Sequence, residues 1–189
     1  MTIDELKKIV PSATAETWHQ HANGGGWVQN SAIVHETAFV AENAIVFGNR
    51  ASIGNRASIG NRASIGNRAS IGESASIGES ASIGNRASIG YGASIGNRAS
   101  IGYGASIGES VKWEVAPLHI TGSKHLLNVY APGIVKIGCH VLGIKVWLRD
   151  IGKLAKAARY TPKQIVEYKA MVKYAATWMK IHGIYEVKK

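Results

Sequence analysis

The stretch ASIGNRASIGNRASIGNRASIGESASIGESASIGNRASIGYGASIGNRASIGYGASIG, residues 51–108, decides the architecture. Within it the tetrapeptide ASIG recurs ten times at a period of six, separated only by NR, ES or YG. A six-residue period fits neither a helical heptad nor a simple amphipathic strand, whose period is two with no need of a glycine at every sixth position. It fits a coil built from short strands. Ile53, Ile59, Ile65, Ile71, Ile77, Ile83, Ile89, Ile95, Ile101 and Ile107 then point inward as the core, and the alanine four positions after each of the first nine fills the space beside it. On this reading the glycine permits the backbone conformation at the corner. Three hexads make a triangular coil of 18 residues, and successive coils stack at about 4.8 Å.

Upstream, Val34, Val40 and Val46 keep the period, with Ala38 and Ala44 following the first two, so the repeat begins near Ala32. Between Val46 and Ile53 there is one residue too many, and a bulge or loop is expected where the degenerate repeats meet the perfect ones. The sequence therefore divides into residues 1–31, a cap with a Gly-rich loop; 32–112, the repeat coil; 113–144, an irregular β extension expected to continue the solenoid; and 145–189, a helical hairpin. Thr2 and Glu5 fit a capping box for a short first helix ended by Pro11. In the hairpin, one helix runs from Lys145 to about Arg159, weakened by Gly152. Thr161 as N-cap and Pro162 at the first position start another that reaches about Ile181.

The pattern resembles the hexapeptide-repeat superfamily, whose members include acyltransferases and γ-class carbonic anhydrases. That resemblance implies a mainly β fold, a left-handed parallel β-helix, assembled as a homotrimer with parallel axes. The flanks TAETWHQHANGGGWVQNSA, APGIVKIGCH and YTPKQIVEYKA are similar to uncharacterised hexapeptide-repeat proteins of tailed phages and prophages, a likeness that brings no activity to particular residues.

Charge is distributed unevenly. Residues 1–111 carry eight basic and eight acidic side chains, so the whole formal charge of +10 lies beyond them, on twelve Lys and two Arg against Glu114, Asp150, Glu167 and Glu186. A bias of this kind favours anionic partners or serves solubility. Cys139 is the single cysteine, which excludes an intrachain disulfide and suits a reducing compartment. The sequence shows neither a signal-like segment nor a membrane span, and a soluble protein of a bacterial cytoplasm is expected.

Acyl transfer in this superfamily uses a histidine base, for which His19, His21, His35, His119, His125 and His140 are available. None sits in a recognised catalytic motif, the perfect repeats hold no histidine, and no catalytic residue is assigned. His19 with His21 makes a weak metal pattern and His119 and His125, six apart, would fall on different faces of a regular coil, so no metal site and no cofactor are expected. Cys139 beside His140 reads as a buried thiol next to a polar neighbour. At an 18-residue stack Arg68 lies below Arg86, with Arg50 approximately in line, while Arg62, Glu79 and Arg98 alternate in sign on another face. Arg50, Arg68 and Arg86, together with Lys145 and Arg149, are the candidate anion-binding residues, and Tyr91 and Tyr103 offer stacking surfaces. The lysine-rich helices lack a nucleic-acid-binding motif, so that partner is not expected. The expected function is a non-catalytic scaffold, a stable homotrimeric solenoid with a designed or repeat-expanded core. The alternatives are capture of an anionic small molecule such as a nucleotide in clefts between subunits, and hexapeptide-type acyl transfer.

Overall fold

The chain opens with helix α1 (Ile3–Ile9) and the strands β1 (Trp18–Gln20), β2 (Trp27–Gln29), β3 (Ile33–Val34), β4 (Phe39–Val40) and β5 (Ile45–Val46). Ten Ser-Ile strands follow at six-residue steps, from β6 (Ser52–Ile53) to β15 (Ser106–Ile107), and β16 (Lys112–Trp113) closes the series. In this computed structural model, residues 1–114 and 116–185 are described. They fall into two units, Met1–Ala116 and Pro117–Lys189.

The first unit is a parallel β-solenoid of about five turns, with the winding of a left-handed β-helix. Its three faces are the sheets β1-β2-β5-β8-β11-β14, β3-β6-β9-β12-β15 and β4-β7-β10-β13-β16. Pairing follows the 18-residue coil: Ser58 lies against Ser76, and Ser76 against Ser94. All ten repeat isoleucines are at most 2% exposed, so each coil adds three Ile to a dry, continuous core.

The repeat glycines are needed for a different reason from the one expected. Their φ angles are not in the left-handed region; that conformation falls on the second corner residue instead, as at Arg56, Arg68, Ser74 and Arg86, with φ of 54–60°. Space is what compels the glycine. A Cβ on Gly60 would lie 2.7 Å from the carbonyl carbon of Gly78, and one on Gly54 would lie 2.6 Å from the Glu73 nitrogen. Strain at the corner residue is offset by a hydrogen bond, because its N–H donates to the coil before: Arg68 to Asn49 O at 3.1 Å, Ser74 to Asn55 O at 2.9 Å, Arg86 to Asn67 O at 2.9 Å.

The extra residue is visible as a change of register. Val28 pairs with Val46, 18 apart, but Val46 pairs with Ile65, 19 apart, and Ile53 returns to 18 with Ile71. The insertion falls at Phe47–Gly48, and Phe47 turns outward onto Trp18 in an edge-to-face contact at 5.7 Å. There it joins a small second core of Leu6, Ala13, Trp18, Trp27 and Ile45, covered by α1. Thr2 and Glu5 form the expected capping box on α1.

Around this cluster the N-terminal segment also closes strand edges. β1 pairs antiparallel with β2, while Val40 N–H donates to Asn23 O at 3.0 Å and Gly26 N–H donates to Val40 O at 2.9 Å. Gly24 is required at that crossing, since a Cβ on it would lie 2.3 Å from Val40 O and its φ is +106°. Such edge pairing removes a template for end-to-end association.

The second unit does not continue the solenoid. Its strands β17 (His119–Thr121), β18 (Leu126–Ala131), β19 (Ile134–Ile137) and β20 (His140–Gly143) form an antiparallel meander. Extended runs such as LLNVYA and IVKI lack the glycine of the hexad and pair through short turns instead, as at Ile137 with His140. Helices α2 (Ile144–Ala157) and α3 (Pro162–Ile181) make the hairpin, with Thr161 and Gln164 in a capping box. Trp147 Nε1 donates to Val135 O at 2.9 Å and fixes α2 on the sheet, while the Tyr168 hydroxyl donates to His125 O at 2.6 Å and accepts from Lys124 N at 3.2 Å.

Candidate functional site

The three corners of the solenoid differ only in the pair of residues between successive ASIG blocks. One corner carries Glu36, Arg56, Glu73 and Glu109; a second carries Glu42, Arg62, Glu79 and Arg98; the third carries Asn49-Arg50, Asn67-Arg68, Asn85-Arg86 and Tyr103-Gly104. Only the third is free of carboxylates. None of Arg50, Arg68 and Arg86 lies in an ion pair among the described residues, and all three are exposed.

Beneath the guanidinium groups the asparagines form a ladder. Asn67 N–H donates to Asn85 Oδ1 at 2.8 Å, and the corner N–H groups of Arg68, Arg86 and Gly104 donate to the carbonyls of Asn49, Asn67 and Asn85. Arg86 also stacks over the Tyr103 ring at 5.6 Å. Asn49, Asn67, Arg68, Asn85, Arg86 and Tyr103 line a shallow groove of about 200 Å³. Toward the N-terminus it meets a second hollow of about 370 Å³, walled by Ser12, Thr17, Trp18, Gln29 and Phe47 and sharing Asn49 and Asn67. A surface of this kind has fork-shaped cations, amide groups and an aromatic face, and no acid to repel an anion. The asparagine ladder and the hollow beside Phe47 were not singled out from sequence. The 18-residue spacing of Asn67 and Asn85 was the available signal.

Lys145 and Arg149 are not part of this corner; both stand on α2 in the second unit. Arg149 is occupied locally: Nη2 lies 2.6 Å and Nε 3.0 Å from Asp150 Oδ2. That hydrogen bond raises the Arg149 pKa and holds the Asp150 carboxyl below the usual carboxylate range. Lys145 Nζ stands 5.9 Å from the centre of the Tyr185 ring.

The histidines are dispersed. His19 lies on β1, exposed, with Nδ1 2.7 Å from Asn30 Oδ1. Asn30 is itself held, since its Nδ2 donates to Glu16 O at 2.8 Å and its N–H donates to Thr17 O at 2.9 Å. An amide oxygen can only accept, so Nδ1 carries a proton, and in the neutral ring Nε2 keeps its lone pair. His35 Nδ1 lies 2.8 Å from Thr37 Oγ1 and 3.2 Å from Thr37 N. His21 is buried, with Nδ1 3.2 Å from Asn23 O and 3.3 Å from Asn23 N. Cys139 is exposed in the β19–β20 turn rather than buried. Among the described residues, no three His, Cys, Asp or Glu side chains converge as a metal site would need.

No known protein family matches the chain by sequence, and no curated protein matches it. Among solved structures it is similar to a mutant perosamine N-acetyltransferase from Caulobacter crescentus in complex with CoA and GDP-perosamine, at 24% identity over 48% of this chain and 41% of that one, with a TM-score of 0.44. The chain thus spans less than half of that enzyme. It is also similar to a hexapeptide transferase family protein from Anaplasma phagocytophilum, at 16% identity over 89% of this chain and 99% of that one, TM-score 0.30. A putative acetyltransferase from Bacillus cereus follows at 14% identity, over 80% and 91% of the two chains, TM-score 0.26.

The chain carries a parallel β-solenoid wound from hexapeptide repeats. Likeness at these identities concerns the fold and assigns no activity. The expectation of a non-catalytic scaffold is corrected at this point, since the solved structures reported above are described as acetyltransferases and a hexapeptide transferase family protein. No described helix is long and apolar enough to cross a membrane.

Proposed function

We propose that the chain is a hexapeptide-type acyltransferase that holds a phosphate-bearing acyl carrier along the arginine corner. The supporting observation is the carboxylate-free column of Arg50, Arg68 and Arg86 over its asparagine ladder. Arg68 and Arg86 match phosphate oxygens bidentately, and Tyr103, already beneath Arg86, offers its face to a nucleotide base. His19 is the candidate general base, because Asn30 fixes its tautomer with Nε2 open. In the transfer, the acceptor amine or hydroxyl attacks the thioester carbonyl and its proton passes to Nε2. The carbon–sulfur bond then breaks, and the thiolate takes the proton. Outward serines on all three faces support side-by-side packing of three copies, and the lone cysteine suits a cytoplasmic location.

The test is release of free thiol from acetyl-CoA across a panel of amine and hydroxyl acceptors, alongside calorimetric binding of the carrier. Arg68→Ala with Arg86→Ala should weaken binding by about tenfold or more, and His19→Asn should lower kcat by about 10²–10⁴ with binding intact. One observation favours a second reading, capture of the anion without chemistry: no histidine lines the groove. Binding without turnover by any acceptor would select it. A protein that neither binds nor turns over the carrier would remove both.

A further inference from the structure

The second unit holds a groove that the acyl-transfer reading does not use. Helices α2 and α3 part to leave a concavity of about 490 Å³, the size of a small-molecule site. Ile151, Ile165 and Val172 lie at its base with Gly152, and Lys153, Lys156, Lys169 and Lys173 stand around it. Lys153 and Lys156 come from one wall, Lys169 and Lys173 from the other. All four lysines are exposed, and none is in an ion pair among the described residues.

Gly152 is the informative residue. Glycine inside a helix is about 1 kcal/mol less favourable than alanine, so its presence in α2 calls for a cause. Tight packing is not that cause. A Cβ there would meet only the tip of Lys169, 3.4 Å from Cε and 3.6 Å from Nζ. What the glycine does preserve is open volume at the base of the groove, between two cationic walls.

We infer that this groove binds an anionic amphiphile in monomeric form, with an aliphatic body against Ile151, Gly152 and Ile165 and a phosphate head among the lysines. Apolar side chains at the base supply the affinity for the body, and the lysines supply the selection for charge. A bilayer surface does not fit as well, because its headgroups reach the lysines while its chains cannot reach the base of a concave groove.

The probe is decyl phosphate, kept below its micelle concentration and titrated calorimetrically into the full chain. Saturable binding is expected, at least about tenfold tighter than inorganic phosphate. Gly152→Leu should fill the base and weaken binding by about tenfold or more while leaving the melting temperature equal or higher. Lys156→Glu with Lys169→Glu should abolish binding. Equal affinity for inorganic phosphate, or undiminished binding of decyl phosphate by Gly152→Leu, would overturn the inference. So would binding confined to phosphatidylglycerol vesicles and unaffected by Gly152→Leu, which would mark a flat electrostatic surface. Thiol release from acetyl-CoA is read separately and has no bearing on this result.

Discussion

Glycine has opposite meanings in the two units. In the solenoid, Gly60 sits where the next coil's backbone passes within 2.7 Å of any added Cβ, so its smallness is a condition of stacking. In α2, Gly152 faces only a flexible lysine tip, and its smallness leaves a groove open. The same residue type is therefore a condition of stacking where it recurs every sixth position and a source of open volume in α2. Repetition explains the difference: identical coils must fit each other at every rung, whereas a helix carries no such constraint at a single exposed turn.

The largest test of that contrast concerns the core. Ile77→Ala should cost about 2–5 kcal/mol, and Ile71→Ala and Ile83→Ala should match it closely, because each of the three lies between repeat isoleucines of the coils on either side. Unequal losses in urea unfolding would show that the coils are not equivalent. Next in size, Gly60→Ala should destabilise by about 1–3 kcal/mol through overpacking against backbone, while Gly152→Ala should stabilise by up to about 1 kcal/mol. Two substitutions of the same kind with the same sign would break the comparison. Arg56→Gly, at a φ of 54°, should relieve strain and raise stability by about 1 kcal/mol, confirming that the corner's left-handed residue is the second of the pair.

The smallest effect concerns acid. The backbone hydrogen bond from Thr2 holds the Glu5 carboxyl below its usual range. A lowered folded pKa means that the cap's contribution is complete above the ordinary carboxylate pKa and is lost as pH falls through the lowered value. Acid titration followed by Trp18 and Trp27 fluorescence should show a step that Glu5→Gln, which still caps, removes.

Period, core and seam were all legible in the sequence, because each is a matter of spacing: ten isoleucines six apart, and one residue too many before Ile53. The two C-terminal helices were legible through Thr161-Pro162 and the apolar spacing. What spacing could not reveal was which atom needed the glycine, since space and φ leave the same letter. Nor could it show that LLNVYA and IVKI leave the coil, because an extended run reads alike in parallel and antiparallel sheets. The arginine column was visible at 18-residue steps. Its lack of nearby carboxylates became meaningful only when three corners could be compared, and the pairing of Arg149 with the adjacent Asp150 likewise needed the structure.

The Phe47–Gly48 insertion has one more consequence. Ten identical tetrapeptides carry no information about which rung belongs beside which, so slippage by a whole coil would cost only the contacts at the ends. A single 19-residue turn, fastened through Phe47 to Trp18, works as an index mark: it gives the array an origin from which every later rung is counted.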